Sequence, residues 1–237
     1  LGQSVLKSNS SKYIFESIKS FLNKNNKITN EWNSFNIISE NASTVGSFDL
    51  GLYKTDNGSN EVLKKLENNE FEIVYLLGQD NLKFSKKNEF IIYQGSHGDK
   101  GAEIADIILP GAAYTEQNGY FTNLEGKMQK AFKASYPPEL AKEDWLIINE
   151  LAEAMNHRKL FNDKDELDSS LLNQINLYIE KNNLNKFSDI KDLSFEKEFL
   201  KIKTEDYYHS NVIARCSKTM IDCKNSKVNL KPTGTEG

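Results

Sequence analysis

The densest group of chemically capable residues is Gly95-Ser96-His97-Gly98-Asp99-Lys100-Gly101. It follows an apolar run, Phe90 to Gln94, that reads as a strand. Three evenly spaced glycines could turn backbone N–H groups toward one point. That would make an anion nest at the carboxyl end of a sheet, where open α/β folds bind ligands. Gly95, Gly98 and Gly101 are therefore the candidate cofactor-binding positions. The pattern is neither GxGxxG nor a Walker A loop, and no full helix is expected directly after it. A tight βα turn in which the glycines supply positive φ accounts for the same residues without a ligand. Ser96, His97 and Asp99 have the residue types of a nucleophilic triad, but triads are assembled in space and not by adjacency.

Other chemistry has less support. His97, His157 and His209 are scattered, and neither HExxH nor CxxC occurs. Cys216 and Cys223 are separated by six residues, which matches no standard zinc or cluster spacing. Two small semi-buried thiols are the plainer reading. Glu103, Glu116 and Glu125 could form an acid/base set, but they lie in polar stretches where solvated charges are expected. No catalytic residue and no metal ligand is assigned.

The elements that would position the glycine turn are legible. Phe71 to Leu77 ends at Gly78, Phe90 to Gln94 ends at Gly95, and Asp106 to Leu109 ends at Pro110-Gly111. Short apolar runs stopped by Gly or Pro read as buried parallel strands. Residues 95–105 are just long enough for a parallel crossover. Helical spacing is expected over 10–24, around Trp32, Phe35, Ile37 and Ile38, and over Glu61 to Asn68, while 42–60 reads as loop. The clearest helix is 142–155, behind Pro137 and Pro138, with Trp145, Ile148, Leu151, Ala152 and Met155 on one face. Residues 157–203 suggest two or three amphipathic helices packed on the sheet domain. Residues 204–237 read as an irregular tail, disordered from Asn225. The fold class expected is α/β, an open parallel sheet with flanking helices. The expected division is an α/β domain over 1–156, a helical extension over 157–203 and the tail over 204–237.

Composition bounds the function. The chain has 237 residues, 38% hydrophobic, with a mean hydropathy of -0.60. That suits one large domain or a domain with an appendage. No run approaches the roughly 18 apolar residues of a membrane span. A net charge of -4 argues against nucleic acid as a partner. All basic residues are Lys except Arg158 and Arg215, so a single Lys carries little signal. Two cysteines fit a reducing compartment. Leu1-Gly2-Gln3-Ser4 reads as the end of a strand entering a loop, so a fragment without a signal peptide is expected.

One stretch goes beyond this reading. Tyr93 to Glu153 carries YQGxHGDxGAxIADxILPGAAYTE, N-x-EG-x-x-Q at Asn123–Gln129, and P-P-x-L-A-x-EDW-x-I-I at Pro137–Ile148. These blocks resemble the large iron–sulfur subunit of proton-pumping NADH:quinone oxidoreductase, respiratory complex I, in its bacterial and mitochondrial forms. VYLLGQDN at 74–81 and DYYHSNVIARCSKTMIDC at 206–223 fit the same subunit. The resemblance implies a molybdopterin-oxidoreductase-like fold without a molybdenum cofactor. It implies that [2Fe–2S] and [4Fe–4S] clusters are held by N-terminal cysteines that this sequence does not contain, so no cluster ligand maps here. The implied partners are other peripheral-arm subunits, including the flavin- and NADH-binding subunit and cluster-bearing subunits. The implied location is the cytoplasmic face of a bacterial inner membrane or the matrix side of the mitochondrial one. ADIILPGAAYTEQNGYFTNLEGKMQ also resembles formate dehydrogenases and nitrate reductases, where this segment helps bind a pterin. Lys127 stands where those enzymes commonly have Arg, and Lys does not reproduce a bidentate fork. The helical, Lys- and Asn-rich residues after Met155 also differ from the β-barrel that commonly ends those enzymes. A non-enzymatic scaffold outside complex I is a third alternative.

Overall fold

In the computed structural model the described residues are 1–6, 8–29, 32–39, 41–52, 58–80, 85–182, 194–197 and 206–229. In chain order the elements are α1 (Gln3–Leu6), α2 (Ser11–Lys24), α3 (Thr44–Asp49), α4 (Gly58–Glu67), β1 (Ile73–Leu77), β2 (Phe90–Gly95), α5 (Lys100–Glu103), β3 (Ile107–Pro110), β4 (Gly119–Thr122), β5 (Met128–Ala131), α6 (Asp144–Ala154), α7 (Lys164–Asn182), a 3-10 turn (Tyr207–His209), α8 (Val212–Cys216) and α9 (Lys218–Asn229). The chain divides into two packed units. One comprises Leu1–Asp56, Gly119–Ala131 and Phe161–Ile202; the other comprises Asn57–Asn118, Phe132–Leu160 and Lys203–Gly237.

The second unit holds the parallel sheet, in the order β1-β2-β3. Tyr75 lies beside Ile92, and Ile92 beside Ile107. Side chains alternate across the pleat, so Leu76, Ile91 and Tyr93 share one face and are almost fully buried. Val74, Ala102, Ile104 and Ala105 pack against them. The crossover from β2 to β3 carries only the single turn α5. Asp106 fixes its far end, because Asp106 Oδ2 accepts the Ile91 N–H at 2.8 Å. The open α/β sheet expected from the apolar runs is thus present.

The first unit is built on α2, α3, α7 and the antiparallel β4–β5 hairpin, with Gly119 opposite Ala131 and Thr122 opposite Met128. α3 comes close to the hairpin at Gly46, where a Cβ would lie 3.6 Å from Thr122 Oγ1. Gly2 makes an isolated parallel bridge to Ile38 just before α1, which matches a strand end entering a turn.

Several local expectations need correction. No helix forms around Trp32, Phe35, Ile37 and Ile38. Thr29 Oγ1 accepts the Trp32 N–H at 3.0 Å and Asn33 Oδ1 accepts the Phe35 N–H at 2.8 Å, and such local bonds compete with a helix. Residues 42–60 are not all loop: α3 forms there, against β4, through tertiary contact that local composition does not report. The described part of 157–203 holds one long helix, α7, and it belongs to the hairpin unit and not to the parallel sheet's. After α7, that extension lies outside the described residues apart from 194–197. The tail over 204–237 is not irregular in its described part. Asp206 accepts the Tyr208 N–H and Asn211 accepts the Ala214 N–H, and these side chains open the 3-10 turn and α8. α9 continues past Asn225 to Asn229. In α6 the buried positions are Ile147 and Asn149, whereas Ile148 and Met155 are exposed. Asn149 is drawn inward because its Oδ1 accepts the Leu160 N–H at 3.0 Å.

Candidate functional site

The carboxyl ends of β1 and β2 are where an open α/β sheet would take a ligand. Here the space is filled by the chain's own Tyr93. A Cβ on Gly95 would meet the Tyr93 hydroxyl and ring, and a Cβ on Gly101 would lie 2.6 Å from the Gln79 carbonyl oxygen and 2.8 Å from the Tyr93 ring. Gly98 has nothing within 4 Å of its would-be Cβ. None of the three adopts positive φ; that conformation is found instead at Gly78, φ 61°, directly after β1. The positive-φ reading of the turn is therefore corrected. Gly95 still belongs to β2, paired with Pro110, and Gly101 is already helical. The two are small because an aromatic ring lies against them.

Tyr93 Oη donates to Asp80 Oδ1 and lies 2.9 Å from the His97 carbonyl oxygen. Burial pushes the Asp80 carboxyl above the usual carboxylate range, with the Tyr93 hydrogen bond opposing it. Burial also raises the Tyr93 phenol, and its bond to Asp80 adds to the rise. Ser96 Oγ is 2.9 Å from His97 Nδ1. Asp99 does not complete a triad: its Oδ2 accepts Arg215 Nε at 2.6 Å, with both side chains largely buried. One residue further, Cys216 Sγ donates to the Gly98 carbonyl oxygen at 2.7 Å. The helix α8 thus docks on the glycine turn, and two sequence blocks more than a hundred residues apart meet there. Sequence reasoning missed Asp80, Tyr93 and the Arg215–Asp99 pair. The available signal was Arg215 itself, one of two arginines in a lysine-rich chain.

An anionic cofactor does not fit this donor set. Its phosphates would face the carboxylates of Asp80 and Asp99, the Arg215 guanidinium is already engaged, and the gap beside Gly95 and Gly101 holds the Tyr93 ring. Among the described residues no group of three or more His, Cys, Asp and Glu is placed to hold a metal ion. Cys216 and Cys223 are both exposed thiols. His157 is exposed, and His209 Nδ1 lies 3.8 Å from Asp206. Glu103 and Glu125 are exposed, and Glu116 Oε2 caps the Ala113 N–H at 2.9 Å.

Two further polar sites carry the remaining motif residues. Gln94 is fully buried on the other face of β2. Its Nε2 donates to Asp144 Oδ1 at 2.7 Å, Gln117 Nε2 donates to Asp144 Oδ2 at 3.1 Å, and Tyr75 Oη donates to Gln94 Oε1. Gly111 leaves room for this carboxylate, since a Cβ there would lie 2.8 Å from Asp144 Oδ1. The acidic residue of the EDW motif therefore ties α6 to the sheet. In the hairpin unit, Asn123 Oδ1 accepts the N–H groups of Glu125 at 3.0 Å and Lys127 at 2.9 Å, and Gly126 has φ 81°. The N-x-EG-x-x-Q motif is thus the turn of a hairpin, with the Lys127 side chain exposed. Tyr120 and Lys130 on the same hairpin reach the buried Asp168 of α7, at 3.2 and 2.7 Å. Burial works against the ionised Asp168, but Lys130 and Lys164 together hold its carboxyl below the usual range. Tyr114, in the loop after β3, is exposed. A cavity of about 340 Å³ in this unit is lined by neutral residues, Val45, Phe121, Leu124 and Gln129 among them, and so offers no acid or base.

The chain belongs to the molybdopterin oxidoreductase family, whose model matches residues 1–154. Individual relatives are more particular. The G subunit of the NADH-quinone oxidoreductase of Rickettsia bellii (strain RML369-C) is 40% identical over 240 residues, covering 99% of this chain and 34% of that protein. The NADH-ubiquinone oxidoreductase 75 kDa subunit of Reclinomonas americana is 35% identical over 94% of this chain and 33% of its own length. The NADH-ubiquinone oxidoreductase 78 kDa subunit, mitochondrial, of Candida albicans (strain SC5314 / ATCC MYA-2876) is 33% identical over 94% of this chain and 32% of its own. The resemblance to the large iron–sulfur subunit is borne out, and the chain spans about a third of the length of these relatives. No helix among the described residues is long and apolar enough to cross a membrane.

Proposed function

We propose that these residues are a structural part of the large subunit of a proton-pumping NADH:quinone oxidoreductase, and that they hold no cofactor themselves. In that role the assembly passes electrons from NADH through flavin and iron–sulfur clusters to quinone, while this part braces the cluster-bearing region. Its neighbours are the flavin- and NADH-binding subunit and other cluster-bearing subunits of the peripheral arm. The arm faces the bacterial cytoplasm or the mitochondrial matrix. The 40% identity to a bacterial NADH-quinone oxidoreductase subunit across nearly the whole chain carries the reading. The tyrosine-filled glycine turn supports the absence of a pterin, because the fold's usual ligand position is taken by the chain itself. Formate dehydrogenase chemistry would need that position open.

The test is to tag the natural polypeptide in its own host and purify it under gentle detergent conditions. Copurification with NADH:quinone reductase activity, without releasable pterin, is expected. A polypeptide that purifies with a pterin and oxidises formate would overturn the reading.

A further inference from the structure

Parallel strands are normally covered on both faces, because crossovers place helices there. In this sheet one face is covered over Leu76, Ile91 and Tyr93, with Ile108 beside Tyr93 left 54% exposed at its edge. On the opposite face, Gln94 near the carboxyl end of β2 is sealed by Asp144 at the start of α6. Toward the amino end, Ile73 is 63% exposed, Phe90 43% and Ile107 46%. The register makes this one patch. Ile73 lies beside Phe90, Ile92 follows two residues on, and Ile107 lies beside Ile92. At its rim Lys86 and Asp106 neutralise each other at 2.5 Å, so the patch presents no single-sign field to a charged partner.

We propose that an amphipathic helix of the same natural polypeptide, from outside residues 1–237, lies on this patch beside α6. The inference rests on the reading that these residues are about a third of a longer chain, as they are of the relatives' length. The cover is a helix because a parallel sheet buries its faces under helices. It comes from the same polypeptide because an uncovered core face must be closed as the chain folds, before any other protein arrives. The helix presents apolar residues at three- and four-residue spacing.

The test places the photo-crosslinker p-benzoylphenylalanine at position 90, and separately at 107, of the natural polypeptide, both purified alone and within its complex. Cross-links to a segment of the same polypeptide outside 1–237, apolar at helical spacing and seen in both states, are expected. Cross-links to residues 1–237, to a second copy or to another subunit overturn the inference, as does their absence. Hydroxyl-radical oxidation of the unaltered polypeptide keeps the test independent of the variants. Phe90 and Ile107 should be modified about tenfold less than the exposed Tyr136 after correction for intrinsic reactivity, as burial protects a core. Equal modification overturns the inference. A cross-link to another subunit would leave the complex I reading standing. A polypeptide that fails to copurify with NADH:quinone reductase would overturn that reading while its cross-links remain readable.

Discussion

The carboxyl edge of the parallel sheet and the turn of the β4–β5 hairpin both drew attention for their residue types, and both consume their polar groups internally. They do so over different ranges. At the sheet edge the partners are remote: Gln94 with Asp144, 50 residues on, and Asp99 with Arg215, 116 residues on. At the hairpin turn Asn123 serves Glu125 and Lys127, within four residues. A motif satisfied locally can be explained by its own spacing. A motif satisfied at long range looks like an unfilled site until the chain is folded.

The contrast can be broken by truncating one acceptor on each side. Asp144→Ala removes the carboxylate that both the buried Gln94 amide and the Gln117 amide donate to, leaving each only a 3.3 Å bond to a backbone carbonyl oxygen, and each lost charged bond should cost about 1.5–3 kcal/mol. Asn123→Ala exposes its turn N–H groups to water and should cost less than half as much. Urea unfolding of the natural polypeptide measures both, and equal losses would erase the distinction.

Glycines sharpen it. Gly101→Ala must push a Cβ against a backbone oxygen and the Tyr93 ring, and should cost about 1–3 kcal/mol, as overpacking does. Gly126→Ala, at φ 81° in open space, should cost about 1 kcal/mol. Gly98→Ala should stay within about 0.5 kcal/mol. A large Gly98 effect would mean that the turn is held by something other than Tyr93.

Two perturbed carboxylates, buried Asp168 and half-buried Asp80, should respond oppositely to acid. Asp168 titrates below its ordinary value, so its stabilising contribution is complete above about pH 4 and is lost as pH falls through its folded pKa. Asp80 titrates above its ordinary value, so its contribution is present below about pH 4 and is lost as pH rises through its folded pKa. Stability measured against pH should show Asp168→Asn less sensitive to acid than the native protein. Asp80→Asn should be favoured at neutral pH, with that advantage vanishing toward pH 4. Curves that move together would refute the opposed environments.

The smallest effect belongs to chemistry. His97→Ala removes a side-chain contact to Ser96, so NADH:quinone turnover per assembled complex should be unchanged. Lost turnover in a fully assembled complex would restore the turn as a reactive site.

Much of the fold was legible because it depends on local pattern. The apolar runs ending at Gly78, Gly95 and Gly111 became the three strands, and the run behind Pro137-Pro138 became α6. The glycine turn was located but misread, because Gly95 and Gly101 answer to a ring whose role spacing does not show. Trp32 to Ile38 has helical spacing, yet Thr29 and Asn33 hold that backbone by shorter bonds. α8 and α9 were hidden among Lys and Asn, since their capping residues are also those of loops.

The Arg215–Asp99 pair sets a schedule for synthesis. A ribosome adding about 5–20 residues per second needs roughly 6–23 s to travel the 116 residues between these partners. Through that interval the nascent sheet carries Asp99 without its counter-ion and Gly98 without its thiol donor. The edge of the sheet therefore matures late, and a stalled or truncated product would be marked by an acidic, unsealed turn that a quality-control protease could reach.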